Sequence, residues 1–433
     1  MRKGALARNL AHSITLAGWS EDIVEAALIR RLPQALRSEA APLAVAILEE
    51  IPAVYAPSPK VVATYLQDQP GFARVFRYCQ RRDVWPAPDL TPPVMSPAGV
   101  FADLPLPQLP TVDLLADWLL TPLPRLDHLA DLHGRYENHG DTAVNNYHYI
   151  LKKKRDGGTR VIEAPKANLK AIQRRILDGI LDTIQVHDDA FGFVKRRNCL
   201  DGTRRHAGER LVVSFDLQNF FPSIGAGRVY GLFRCLGYSH AVSRYLTALC
   251  TTATPSRILE RLAPGDRTLY RGPHVPQGSP ASPAIANRIC HALDRRLSML
   301  AARIDANYSR YADDMGFSGD DRIGPVLRRF VPEILKDEGF QPNADKTRSM
   351  GMRGRQSVTG VVVNRHLNIR RATFDHLKAV IHACGRPEDP RLNDGRFRAS
   401  LLGQIDWVET VNPARGARLR ALLAKALDRR RGG

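Results

Sequence analysis

The chain has 433 residues, 44% of them hydrophobic, enough to bury a large core and to form more than one domain. Lys plus Arg number 63 against 44 Asp plus Glu, and the net charge of +19 points to a polyanionic partner, nucleic acid before a membrane surface. No apolar run reaches about 18 residues, which excludes a membrane-spanning helix, and six scattered cysteines without a CxxC pair argue against a zinc site or a disulfide scaffold and suit a reducing cytoplasm.

The first 84 residues lack the apolar core of a signal peptide, read as mature protein, and are expected to be helical. Ser20 is placed to cap a helix whose first turn holds Glu21 and Asp22 and whose buried face is Ile23, Ala27 and Leu28. A second helix is expected from Ser58, with Pro59 in its first turn and Val62, Tyr65 and Leu66 along it. Residues 85–110 contain eight prolines in 26 positions, so they read as a linker or a strap laid over a surface. From 111 to 366 helices and strands mix. LVVSF (211–215) reads as a buried strand. SPAIANRICHALDRRLSML (282–300) reads as one helix, capped by Ser282, with Ile285, Ile289, Leu293 and Leu297 on one face. YSRYADDMGFSG reads as a hairpin joined at Asp313 and Asp314, and SVTGVVVN (357–364) as a strand with Gly360 inside it. Residues 367–433 are basic and helical. Their apolar stripes are Phe374, Leu377, Ile381 and Cys384, ended by Gly385, then Leu401, Ile405 and Val408, then Leu419, Leu422, Leu423 and Leu427.

Two adjacent carboxylates repel each other. A third, Asp216, ends the strand LVVSFD just before the sharp FFPSI turn. If that strand lies beside the hairpin, Asp216 and Asp313 face one another, and divalent cations are needed to neutralise the cluster. An all-oxygen donor set favours magnesium, and two ions about 4 Å apart suit phosphoryl transfer. The basic run Lys152, Lys153, Lys154 and Arg155, with Arg160 beyond it, is either a solvated face or a phosphate contact.

The order of motifs resembles bacterial reverse transcriptases, and the retron type most closely. SFDLQNFFPSI resembles the first catalytic-aspartate motif, HVPQGSPASP (274–283) the PQG motif that opens a template-binding helix, and YADD the metal-binding hairpin. GFQPNADKT (339–347) resembles the motif that follows, with its lysine at Lys346. RVIEAPKANLKAIQRRIL (160–177) and AFGFVKRRN (190–198) resemble two fingers segments, the second with Arg196 where the family has glycine. The resemblance covers residues 125 to 430. It implies an α+β right-hand polymerase, with fingers, a ferredoxin-like palm and a helical thumb (367–433), behind a helical N-terminal extension (1–84). It also implies an RNA-directed DNA polymerase acting on dNTPs, with Asp216, Asp313 and Asp314 at two magnesium ions, the backbone carbonyl of Phe215 or Leu217 as a further ligand, and Lys346 near the departing pyrophosphate. Gln277, Gly278, Arg160 and Arg197 are then expected around the nucleotide. Phe221, five positions after Asp216, is expected to be the steric gate that rejects a 2′-hydroxyl. Alternation puts Phe220 on the opposite side, in the core.

Retron enzymes carry two further marks. VTG is intact at Val358, Thr359 and Gly360. The NAxxH segment is altered to Gly202, Thr203, Arg204, Arg205 and His206, keeping only its histidine. Val358, Thr359 and Gly360, with Arg370, Arg371, Lys378 and Arg418 of the thumb, are expected to bind a structured non-coding RNA that serves as template and as candidate primer, leaving an RNA–DNA product. An effector protein is a candidate partner, the cytoplasm is the expected location, and antiphage defence the expected setting. Only RRRGG follows the last helix, so no maturase, endonuclease or RNase H-like region is expected. The competing readings are a defence-associated reverse transcriptase outside the retron class and a polymerase-shaped RNA-binding scaffold.

Overall fold

A computed structural model describes residues 2–51, 57, 59–87, 94–132, 134–137, 139, 143–153 and 158–386, and then 388–431. The expected cap Ser58, Lys154, Arg155 and the middle of the proline-rich segment lie outside the described residues. The chain forms two compact units, Met1–Gln185 with Phe221–Ile289, and Val186–Phe220 with Cys290–Gly433.

The first unit begins with five α-helices, Lys3–Ala17, Glu21–Arg31, Ala40–Glu50, Pro59–Asp68 and Pro70–Arg82. Their apolar stripes close on one core built from Leu6, Leu10, Ile14, Leu28, Ile47, Val62, Leu66, Phe72 and Val75. In the second helix Val24 takes the inward place expected of Ile23, which is 40% exposed, because the face that meets the core runs through Val24, Ala27 and Leu28. The described part of the proline-rich segment is a strap. Ser96 and Ala98 donate their amides to the carbonyls of Gly237 and Cys235, and Gly237, at φ 88°, lies so flat that a Cβ there would sit 2.3 Å from the Pro97 nitrogen. Strands β1 (Tyr147–Lys153) and β2 (Thr159–Pro165) form an antiparallel hairpin, followed by helix Ala167–Gly179, whose Gln173 side chain ties Tyr147 Oη to the carbonyl of Leu249. Helices Val112–Trp118, Leu123–Ala130, Ala226–Cys235, His240–Cys250, Ser256–Leu259, Pro264–Arg271 and Ser282–Ile289 also belong to this unit.

The second unit is built on a four-stranded antiparallel sheet. Its strands are β3 (Leu211–Asp216), β4 (Asn307–Tyr311), β5 (Asp314–Gly319) and β6 (Arg348–Gly351), in the spatial order β4-β5-β3-β6. LVVSF is central, flanked on both sides, which is why it reads as a continuous apolar run. The segment expected as one helix from 282 breaks at Cys290 into Ser282–Ile289 and His291–Arg303. Ser282 does not cap it as expected; its hydroxyl donates to the carbonyl of Pro276. SVTGVVVN is likewise two strands, β7 (Ser357–Val358) and β8 (Val361–Val362), because Thr359 and Gly360 both take positive φ, 48° and 84°, and turn the chain back as a two-residue hairpin. Helices Arg371–Cys384, Gly395–Val411 and Pro413–Arg431 pack around Phe374, Leu377, Ile381, Leu401, Ile405, Val408, Leu419 and Leu423. Leu427 stays 37% exposed, and Ala426 is buried beside it.

Candidate active site

The carboxylates assemble in the second unit. In the β3–β5 ladder Asp216 stands directly opposite Asp314. The β4–β5 hairpin closes at Tyr311 and Asp314, leaving Ala312 and Asp313 as its two-residue turn, and the Leu217 amide donates to the Asp313 carbonyl at 3.0 Å. The residues that follow β3 are joined to the QPN segment. The Asn343 amide donates to the Asp216 carbonyl (2.7 Å) and the Gln218 amide to that of Gln341 (2.9 Å). This pairing delivers Lys346, whose Nζ lies 2.9 and 3.1 Å from the two Asp216 carboxylate oxygens. Lys346 was expected near a leaving group; here its ammonium holds Asp216.

Burial pushes the Asp314 carboxyl up to about 6, and the neighbouring charges of Asp313 and Asp216 push in the same direction. The Thr359 amide, donating to Asp314, and the Lys346 charge oppose this. Among the described residues no three His, Cys, Asp or Glu side chains gather at metal-holding spacing, so the expected three-carboxylate set is not drawn to one point; Asp216 is turned to Lys346. Leu217 is 2% exposed, which leaves only its backbone to serve as a ligand. The donor chemistry nevertheless fits a hard dication. It is carboxylate and carbonyl oxygen throughout, mutually repelling, with a cation already seated on Asp216.

The turn itself is strained and braced. Ala312 has φ 57°, where a two-residue hairpin favours glycine. Arg310 Nη1 donates to the Ala312 carbonyl at 3.0 Å. Its Nε and Nη2 each lie 2.7 Å from Asp294, which also accepts from Tyr308 Oη at 2.9 Å. Arg310 and Asp294 are both fully buried. Outside the turn, residues 189–192 run along β4. Arg310 and Phe191 donate their amides to the carbonyls of Asp189 and Arg310, and a Cβ on Gly192 would lie 2.5 Å from the Ala312 nitrogen. Sequence reasoning missed Arg310 and Asp294; the signal was an arginine three positions before an aspartate pair, facing a helix with one inward acid.

Arg197, expected at the nucleotide, is spent locally. Its Nη1 donates to the carbonyls of His187, Asp188 and Ala190 (2.8, 3.1 and 2.8 Å) and its Nη2 to Asp188 Oδ1. That structural use competes with a nucleotide contact. Val358 is 3% exposed, so its side chain belongs to the core rather than to an RNA surface. Gly360, Arg370, Arg371 and Arg418 are exposed; Lys378 is half-buried, and both Lys378 and Arg371 pair loosely with Asp375. Phe220 is buried against Phe340.

The first unit carries the other expected residues. Gln277 and Gly278 form a loop against β2. The Glu163 amide donates to the Gln277 carbonyl (2.9 Å), and Gly278, at φ 140°, leaves no room for a Cβ, which would meet the Glu163 oxygen at 2.8 Å. Beneath the loop a buried carboxylate is fully partnered: Glu163 accepts from Thr254 Oγ1 (2.6 Å) and faces His274 Nε2 (2.9 Å). Burial disfavours a charged His274, but the Glu163 charge and hydrogen bond, with the Gly272 carbonyl, outweigh it and raise the imidazole above its ordinary value. Arg160 is exposed and stands directly opposite Lys152 in the β1–β2 register. Like charges so placed are unfavourable on their own and suit an anionic ligand. Phe221 is half-buried, with its carbonyl accepting from the Ile224 amide.

Residues 151–363 match the model of the family described as reverse transcriptase (RNA-dependent DNA polymerase). The retron Mx65 reverse transcriptase of Myxococcus xanthus is 39% identical over 286 residues, covering 64% of each chain. The retron Mx162 reverse transcriptase of the same organism is 36% identical over 310 residues, 66% of this chain and 61% of its own. The retron Ec86 reverse transcriptase of Escherichia coli is 33% identical over 244 residues, 55% of this chain and 70% of its own. The chain thus spans somewhat less than two thirds of the length of the two Myxococcus relatives.

Proposed function

The chain belongs to the bacterial retron-type reverse transcriptases and has their α+β right-hand polymerase fold, and from that premise we propose that it is an RNA-directed DNA polymerase. It copies a structured non-coding RNA into single-stranded DNA that stays linked to the RNA, in antiphage defence. The observation that carries the activity is the juxtaposition of Asp216 with Asp313 and Asp314 at the ends of adjacent strands, with the Lys346 ammonium on Asp216. A purely RNA-binding scaffold has no physical need for three crowded carboxylates.

In this reading Asp216, Asp313 and the Leu217 carbonyl hold the magnesium ions, and Asp314 adds negative charge behind them. When bound, the ions supply charge stabilisation to attacking and leaving oxygens. Lys346, whose ammonium pairs with the Asp216 carboxylate, lies near enough to the carboxylates to offer charge to a leaving pyrophosphate. The Gln277–Gly278 loop lets backbone approach the new base pair, and Arg160 with Lys152 binds phosphate. Phe221 excludes the 2′-hydroxyl, so Phe221→Ala raises ribonucleotide incorporation in primer extension; unchanged dNTP/NTP selectivity removes that role. The exposed thumb arginines Arg370, Arg371 and Arg418 grip the RNA backbone, so binding weakens with salt.

Asp313→Asn tests the activity. It is expected to abolish DNA synthesis and leave affinity for co-purified RNA largely intact. Sequencing the nucleic acid that co-purifies should recover an RNA joined to DNA. A parent chain that makes no DNA overturns the enzyme reading, synthesis that survives Asp313→Asn overturns the role of Asp313 in it, and a defence phenotype that survives the variant favours the scaffold.

A further inference from the structure

The first unit buries an acid and a histidine that no step of the proposed chemistry uses. The side chains of Glu163, on β2, and His274 are 0% and 1% exposed. His274 Nδ1 lies 2.8 Å from the Gly272 carbonyl, which can only accept, so Nδ1 carries a hydrogen. Its Nε2 lies 2.9 Å from Glu163 Oε2, and Thr254 Oγ1 donates to Glu163 Oε1 at 2.6 Å. One more proton must lie between Nε2 and Oε2, because two bare lone pairs would repel at that distance. The ring is thus held at both nitrogens and the carboxyl at both oxygens.

The backbone around His274 is bound as well. Thr252 and His274 donate amides to each other's carbonyls (2.9 and 3.0 Å). The Ala226 amide donates to the Pro273 carbonyl and the Val275 amide to the Ile224 carbonyl, each at 2.9 Å. Ile224 in turn closes the turn that begins at Phe221, with its amide on the Phe221 carbonyl at 3.1 Å. Further along, the Pro276 carbonyl accepts from Ser282 Oγ (2.7 Å) and the Gln277 carbonyl from the Glu163 amide (2.9 Å). Glu163 therefore grips this segment at two points, Gln277 with its amide and His274 with its carboxyl. Both features assigned to the nucleotide hang on the same segment, the Gln277–Gly278 loop directly and the Phe221 turn through Ile224.

A buried acid–histidine pair is weak evidence for stability, since apolar residues of similar volume often pack as well; its best-attested use is to specify register. A one-residue slip of 273–277 along β2 would part the carboxyl from the imidazole and leave both unpaired in the interior. It would also bring a residue with a Cβ to the place of Gly278, where an added Cβ lies 2.8 Å from the Glu163 carbonyl oxygen. We propose that Glu163 and His274 are positioning residues for nucleotide selection: their buried hydrogen bond fixes residues 273–277 against β2, and with them the placement of the Gln277–Gly278 loop and the Phe221 turn on the incoming dNTP. This rests on the reading of that loop and of Phe221 as nucleotide contacts.

The test compares the double variant Glu163→Met/His274→Leu, its two single variants and Glu163→Gln with the parent full-length chain. The double variant removes both polar groups together, so its melting temperature should be no lower than that of either single variant. Hydrogen exchange of the amide of residue 163, measured without nucleotide, reads the docking of the loop. It should quicken at least fivefold in the double variant. On poly(rA)·oligo(dT) the KM for dTTP should rise about tenfold, the factor of one hydrogen bond to a charged group. The preference for dTTP over UTP in kcat/KM should fall at least fivefold, and kcat for dTTP should stay within twofold, since the carboxylates stand on other strands. Glu163→Gln can donate its NH2 to a neutral Nε2 and still accept from Thr254, so it should stay close to the parent in all three readouts. Exchange and KM unchanged in the double variant overturn the proposal, and so does a Glu163→Gln variant as impaired as the double one. Faster exchange with KM and dTTP/UTP preference unchanged overturns the link to nucleotide selection and leaves the enzyme reading standing. A parent chain that makes no DNA fails the enzyme reading instead, and the exchange result still decides whether the pair holds the loop. Should the double variant not fold, Thr254→Val, which takes away one of the two partners of the carboxyl, must quicken the exchange and raise KM at least twofold; a parent-like result there overturns the proposal.

Discussion

Asp294→Asn should destabilise the β4–β5 hairpin by about 3–5 kcal/mol, the cost of leaving one partner of a buried ion pair without the other. Both side chains of the Arg310–Asp294 pair are fully buried, and Asp294 accepts three hydrogen bonds, two from Arg310 at 2.7 Å and one from Tyr308 at 2.9 Å. Asparagine keeps the shape but offers one oxygen and turns an NH2 group toward a guanidinium that cannot deprotonate. The strained Ala312 turn relies on the same arginine, so the hairpin should loosen first. Native-state hydrogen exchange of β4 and β5 amides is the suitable assay, since a chain of two units need not unfold in one step. A paired Asp294→Leu and Arg310→Met replacement removes both charges together, and should recover at least about 2 kcal/mol of the sum of the single losses. Amide protection in Asp294→Asn within about 1 kcal/mol of the parent, or single losses that simply add, would refute the argument that this pair is a coupled buried charge.

His206 gives a pH dependence. Burial, with the nearby Arg205 charge, lowers its imidazole from 6.5 to about 4. The unfolded chain therefore takes up a proton below about pH 6.5 that the folded chain refuses until about pH 4. This contribution to stability is complete above 6.5 and falls as pH drops through that window, by roughly 3 kcal/mol in all. Denaturant titrations from pH 7 to 4.5 should show a shallower slope in His206→Gln than in the parent; equal slopes remove the assignment. Gly278→Ala should lower primer-extension kcat by more than tenfold, since its Cβ would press on the Glu163 carbonyl at φ 140° and push the Gln277 loop off β2. Parent-like extension would show that the loop's close approach does not matter.

Local pattern made much of this molecule legible. The apolar run LVVSF gave the central strand and the alternation around YADD gave the hairpin, while the strand-end aspartates gave the neighbourhood but not the pairing: Asp216 was expected to face Asp313, and the ladder sets it opposite Asp314, with Asp313 in the turn. Stripes at helical spacing gave the cores of the N-terminal and C-terminal helices, with a one-residue error at Ile23, where periodicity alone does not say which of two adjacent apolar residues faces inward. The helix break at Cys290 was not visible, because a four-residue apolar repeat continues through it. The turn at Thr359 was hidden for a different reason: a β-branched residue at positive φ contradicts its own propensity, and a partner in another element holds it there.

The sequence by itself determined which residues are charged, apolar or turn-forming, and so the elements and the acid cluster. Which groups satisfy one another was decided only when the chain closed on itself. Glu163 finds His274 across 111 positions, Lys346 finds Asp216 across 130 and Thr203 finds Thr359 across 156. Arg197 is taken up by the carbonyls of His187 and Ala190 and by the Asp188 carboxylate, all close to it in the chain. A buried charge or hydroxyl is stabilised by whatever complementary atom lies within about 3 Å, and that distance is a property of packed space, on which sequence spacing has no hold.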